Sequence, residues 1–112
     1  MELSGRSLEG DVLLVELRED ALDAAKVRAF KDTFTSVVGT HKKVVLDLAG
    51  VRFVDSSGMG ALISCLRLLD GRGGDLRLAS LSKPVRALLE LMRMHRVFSI
   101  HDTPGEAARA FS

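Results

Sequence analysis

Apolar residues recur along this chain in two rhythms, and the switches between them mark its elements. Val12, Leu13, Leu14, Val15 and Leu17 form a dense run behind the turn-like Glu9-Gly10-Asp11, and Leu3 to Leu8 can fold back on it. That arrangement predicts an opening β-hairpin. From Asp23 onward Ala24, Val27, Phe30, Phe34, Val37 and Val38 fall at three- and four-residue steps, the period of an amphipathic helix with Asp23 as N-cap and an end near Gly39. The β-branched run Val44-Val45-Leu46-Asp47-Leu48 predicts a central strand covered on both faces. Gly50 turns the chain, Val51 to Val54 is apolar apart from Arg52, and Asp55-Ser56-Ser57-Gly58 supplies side chains that begin helices. Met59, Leu62, Ile63, Leu66 and Leu69 then carry a second helix from about Ser57 to Asp70, closed by Gly71-Arg72-Gly73-Gly74.

Leu76, Leu78 and Ala79 predict another strand, and Ser82 with Pro84 starts a third helix carrying Val85, Leu88, Leu89 and Met92. Val97-Phe98-Ser99-Ile100 reads as a last short strand, and Thr103-Pro104 opens a terminal helix through Ala107, Ala108 and Phe111. A hairpin followed by strand-helix alternation predicts an α/β fold, a mixed sheet of four to five strands packed with four to five helices. Leu46, Leu48, Leu62, Ile63, Leu66 and Leu89 are expected in the core, with Met92 beside them.

At 112 residues the chain is expected to form a single domain over 1–112, since two halves would each be too small for a core. Sixteen Lys and Arg against fifteen Asp and Glu leave a net charge of +1, so no global field pulls it onto nucleic acid or an anionic membrane. The signs are unevenly placed: Arg67, Arg72, Arg77, Arg86, Arg93, Arg96 and Arg109 lie in the second half, and Glu9, Asp11, Glu16, Glu19, Asp20 and Asp23 in the first. Cys65 stands alone and can form neither an intrachain disulfide nor a metal site by itself. No leader-like segment follows Met1 and no run nears the ~20 apolar residues of a spanning helix. A cytoplasmic location is the expectation.

Candidate chemistry is thin. His41, His95 and His101 sit in connections or element ends, without metal-ligand spacing. Asp55-Ser56-Ser57-Gly58-Met59-Gly60 lacks the leading glycine of a G-x-S-x-G nucleophile elbow, and Ile63 stands where a dinucleotide loop needs its third glycine. Gly71-Arg72-Gly73-Gly74 reads as a helix cap and turn. Neither catalysis nor a cofactor is expected. The least ordinary stretch is Asp55 to Gly60 itself, where Asp55, Ser56 or Ser57 can cap the helix that follows.

From Val44-Val45-Leu46-Asp47-Leu48 through Val54-Asp55-Ser56-Ser57-Gly58-Met59-Gly60-Ala61-Leu62 the chain resembles the signature of the STAS domain family of bacterial anti-sigma factor antagonists. Leu22-Asp23 before the first helix and Ser82-Lys83-Pro84-Val85-Arg86 before the third extend the likeness. Asp20-Ala21 departs from the Gly-Glu that family members usually carry at that point. The resemblance implies a partner-switching protein. Its unphosphorylated form would bind a serine kinase that is also the anti-sigma factor, of histidine-kinase-like ATPase fold. Phosphorylation at Ser56 would end the contact, and a serine phosphatase would restore it. It further implies that Asp23 and Asp47 help form the partner-binding surface. Asp55, Ser57, Gly58 and Met59 of the loop are expected to join it, Met59 through an adaptable side chain of the kind that suits partner surfaces. The alternative is a STAS module that binds a small ligand or serves in a transport complex without phosphorylation.

Overall fold

Gly10 and Asp11 both take left-handed backbone, with φ of 77° and 60°. That turn folds β1 (Leu3–Leu8) antiparallel onto β2 (Val12–Leu17), with Leu8 opposite Val12. The computed structural model describes residues 1–111. After the hairpin come β3 (Ala21–Leu22), α1 (Val27–Val38), β4 (Lys43–Asp47), β5 (Phe53–Val54), α2 (Ser56–Asp70) and β6 (Asp75–Ala79). The chain ends in α3 (Lys83–Leu91), β7 (Ser99–His101) and α4 (Pro104–Arg109). Five strands form one mixed sheet in the order β1-β2-β4-β6-β7, parallel except for the hairpin. A helix crosses over between successive parallel strands because parallel neighbours cannot be joined by a tight turn. The expected α/β architecture is present.

The sheet register sorts side chains onto two faces. Leu13, Val44 and Leu76 align across three strands, as do Val15, Leu46 and Leu78. These rows meet Phe30, Phe34 and Val38 of α1, Leu62, Cys65 and Leu69 of α2, and Val85 and Leu89 of α3. The alternate positions Val12, Leu14, Val45 and Ala79 face Ala107, with Phe111 packed against them. Both faces are covered, which is why β2 and β4 read as nearly continuous apolar runs.

Several expectations need correction. α1 begins at Val27, four residues after Asp23, and its N-cap is Lys26. Asp23 is absorbed by a tight turn instead: its Oδ1 accepts from the Ala25 amide at 3.1 Å, and its carbonyl accepts from Lys26 and Val27. Met92 is 39 % exposed and lies outside the core, because α3 stops at Leu91 and Arg93 adopts φ of 59°. A 3-10 turn over Met94–Arg96 follows, and β7 starts two residues later than Val97, which is exposed. Ile63 and Leu66 flank the buried stripe of α2 and are half-buried, whereas Leu46, Leu48, Leu62 and Leu89 are fully enclosed. The two-residue strand β3, paired with β5 as a separate ribbon, is too short to leave a periodic signal. Among the described residues no helix is long and apolar enough to cross a membrane.

Candidate partner-binding site

β3 and β5 run parallel, Ala21 beside Phe53 and Leu22 beside Val54, so the segments leaving them emerge side by side. One leads to Asp23 and α1, the other to Asp55 and α2. Asp55 has extended backbone and caps α2, its Oδ1 accepting from the Gly58 amide at 2.8 Å. Its Oδ2 accepts from the Ala24 amide at 3.0 Å, and its own amide donates to the Leu22 carbonyl at 3.3 Å. One carboxylate thus shapes both segments. Hydrogen bonds from Gly58 first, then from Ala24 and Ser57, hold the Asp55 carboxyl below the usual carboxylate range, against partial desolvation.

Gly58 is the steric counterpart of that bond. A β-carbon on it would overlap the Leu22 carbonyl oxygen, approach the carbonyl carbon to 2.9 Å and press on Val54 Cγ1 at 3.0 Å. Only glycine lets the first turn of α2 sit against β3. Gly58 is therefore buried and builds the loop from behind. Met59 is corrected more sharply. At 1 % exposure it packs into the core under α2, because the residue after Gly58 points inward once the helix turns over β3. Its side chain does not reach the surface expected of it.

Ser56 is the first residue of α2, exposed together with Ser57. It stands where the free amides and positive end of a helix tolerate negative charge. Ala24, Ala25, Gly60 and Ser64 are exposed as well. Asp23, half-buried, borders the segment from the β3 side. Asp47 stands apart from the Asp55 hydrogen bonds: its Oδ1 accepts from the Ala49 amide at 3.0 Å, and it lines a cleft of about 350 Å³ with Glu16, Glu19 and Asp20. Lys26 Nζ lies 3.4 Å from carboxylate oxygens of both Glu19 and Asp20, tying that acidic rim to the start of α1.

Sequence reasoning missed three contributors. The Ala24 amide and Leu22 carbonyl are backbone groups and carry no residue signature. Phe53, read as part of an apolar stretch, is 55 % exposed two residues before Asp55. Among the described residues no group of three or more His, Cys, Asp or Glu is arranged to hold a metal.

A two-stranded ribbon that presents a capped Asp-Ser-Ser-Gly helix start beside a five-stranded mixed sheet defines a STAS-type domain. The STAS domain profile matches residues 8–107, and the chain belongs to that family. An anti-sigma F factor antagonist of Paenibacillus polymyxa is 30 % identical over 64 residues, 57 % of this chain and 55 % of that protein. The match therefore spans little more than half the length of that relative. Two solved structures share the fold. One is an anti-sigma factor antagonist from Mycobacterium paratuberculosis, with TM-score 0.83 and 21 % identity over 96 % of this chain and 91 % of that one. The other is the Bacillus cell fate determinant SpoIIAA in its phosphorylated form, with TM-score 0.71 and 18 % identity over 98 % and 99 %.

Proposed function

We propose that this chain is an anti-sigma factor antagonist that works by partner switching, with Ser56 as the phosphorylated residue. Unmodified, it binds a serine kinase of histidine-kinase-like ATPase fold that doubles as the anti-sigma factor, and so frees the kinase's target. Phosphorylation of Ser56 ends that contact, and a serine phosphatase resets it. The observation that carries the reading is the placement of Ser56: exposed, first in α2, and next to a cap residue that fixes the loop without using the serine.

The fold tolerates the modification, because the phosphate lies at a helix start and outside the core. A bound partner does not. The event adds roughly −1.5 to −2 charges with their hydration to a packed contact, beside Asp55 and Asp23. A penalty of about 1.4 kcal/mol already lowers affinity tenfold. Asp23, Asp55 and Ser57 edge the same surface, and Asp47 borders it through the acidic cleft. In this role the chain is substrate and competitor, and needs neither an active site nor a cofactor.

The test pairs the purified chain with a candidate serine kinase from the same organism and ATP. One phosphoryl group should appear on Ser56, and Ser56→Ala should block it while retaining kinase binding. Ser56→Asp should weaken binding partially, since one carboxylate carries less charge than phosphate. Phosphate mapped by mass spectrometry to Ser57 or Thr33, or full-strength binding by Ser56→Asp, would overturn the reading.

A further inference from the structure

β7 closes the strand order on the side opposite the hairpin, so one row of its backbone groups faces no strand, an arrangement that accepts an added one. A shallow cleft of about 600 Å³ follows this edge, lined by residues 95–101 in succession together with Arg77, Arg86 and a single carboxylate, Glu90. It shares no residue with the Ser56 surface.

The arginines are placed for an incoming acid. Arg77 lies over the Phe111 ring at 4.8 Å from its centroid, with Nη1 3.2 Å from His101 Nε2 and Nε 3.6 Å from Asp75. These contacts fix its guanidinium at the inner wall. Arg86 touches Asp102 at 3.3 Å, but the Asp102 side chain is 84 % exposed, a water-screened pairing that another carboxylate can replace. Arg96 is exposed and has no carboxylate in ion-pair range among the described residues. From residue 83 to 101 the cations Lys83, Arg86, Arg93 and Arg96 stand against Glu90 alone.

Apolar groups adjoin this charge. Leu91 is 81 % exposed and Val97 47 %, although α3 already anchors itself through Val85 and Leu89. Leu91 ends α3 on the side away from Leu89, and Val97 follows the left-handed turn at Arg93 and the 3-10 turn, so neither joins the core-facing stripe.

We propose that the β7 edge and the turn before it form a second docking surface, which takes an acidic peptide segment of another protein, laid along β7 as an added strand. Its carboxylates meet Arg86 and Arg96, and one apolar side chain rests on Leu91 and Val97. A basic segment would be repelled by the same arginines, so charge sets the selectivity.

The experiment selects binders to the unmodified full chain from a random peptide library displayed on phage, then maps the winners by amide chemical-shift changes. Enriched peptides should combine Asp or Glu with an apolar residue and shift amides between Arg86 and Asp102. The double variant Arg86→Ser, Arg96→Ser should bind them at least tenfold more weakly, and Leu91→Ser several-fold, both with unchanged thermal melts. Inorganic phosphate and ADP form a separate arm. The proposal fails if no peptide is enriched, if the winners lack acids, if they bind the double variant equally, or if ADP alone moves the β7 amides. No kinase is present, so either result leaves the Ser56 reading untouched.

Discussion

The Oδ2 atom of Asp55 accepts a hydrogen bond from the Ala24 amide at 3.0 Å, joining residues 31 positions apart. The same carboxylate caps α2 through Oδ1. Cap and inter-loop tie are therefore two halves of one side chain, and they can be separated by substitution.

Asp55→Asn keeps an oxygen for the Gly58 amide but offers an amide group where Ala24 needs an acceptor, so the cap survives and the tie is lost. Asp55→Ala loses both. Tm should fall in the order wild type, Asn, Ala, each step by a few degrees. The carboxyl is held below its ordinary value, so its contribution is present above the unfolded carboxyl pKa of about 3.9. It fades as pH drops through the lower folded value. Melts repeated at falling pH should show the wild-type advantage over Asp55→Asn shrinking; a gap independent of pH would contradict the charge-assisted tie.

Two glycines in one helix should respond with opposite signs. Gly58→Ala forces a methyl group against the Leu22 carbonyl and should cost about 1–3 kcal/mol, as overpacking does. At Gly60 a methyl group would meet nothing within 4 Å, and Gly60→Ala should stabilise by about 0.5–1 kcal/mol through helix propensity. Chemical denaturation of both variants decides it, and equal shifts would mean the β3–α2 contact is looser than described.

Leu62 is fully enclosed between α2 and the sheet. Leu62→Ala should cost about 2–5 kcal/mol in unfolding free energy. A loss below about 1 kcal/mol would show that the site collapses around the smaller side chain.

Cys65 is buried, and desolvation pushes its thiol up to about 12. Only the thiolate reacts, so a thiol reagent at mildly alkaline pH should label the native protein far more slowly than the unfolded one. Labelling should track the denaturant-induced transition; rapid native modification would place Cys65 at the surface.

What the sequence revealed depended on length and period. The apolar runs of β2 and β4 and the three- and four-residue steps of α2 are readable because they extend over several residues and answer to one environment. Asp55 and Ser56 are readable as helix-start chemistry. The position of Asp23 misleads, because a residue able to cap a helix is equally able to close a tight turn, and the Ala24 amide is already claimed by Asp55. Met59 misleads for a different reason: lying two residues from the exposed Ser57 says nothing about direction, because two helical steps turn a side chain to the opposite face. β3 owes its existence to pairing with β5, a tertiary fact with no local trace.

The bonds that shape the Ser56 loop come from main-chain amides and one carboxylate, while the side chains of Ala24, Ala25, Ser57 and Ser64 stand outside that framework, in water. Substitutions at such exposed positions are expected to change stability by no more than about 0.5 kcal/mol. If this surface is where a partner docks, duplicated copies of such a gene can drift apart in whom they recognise without reopening the question of how the chain folds.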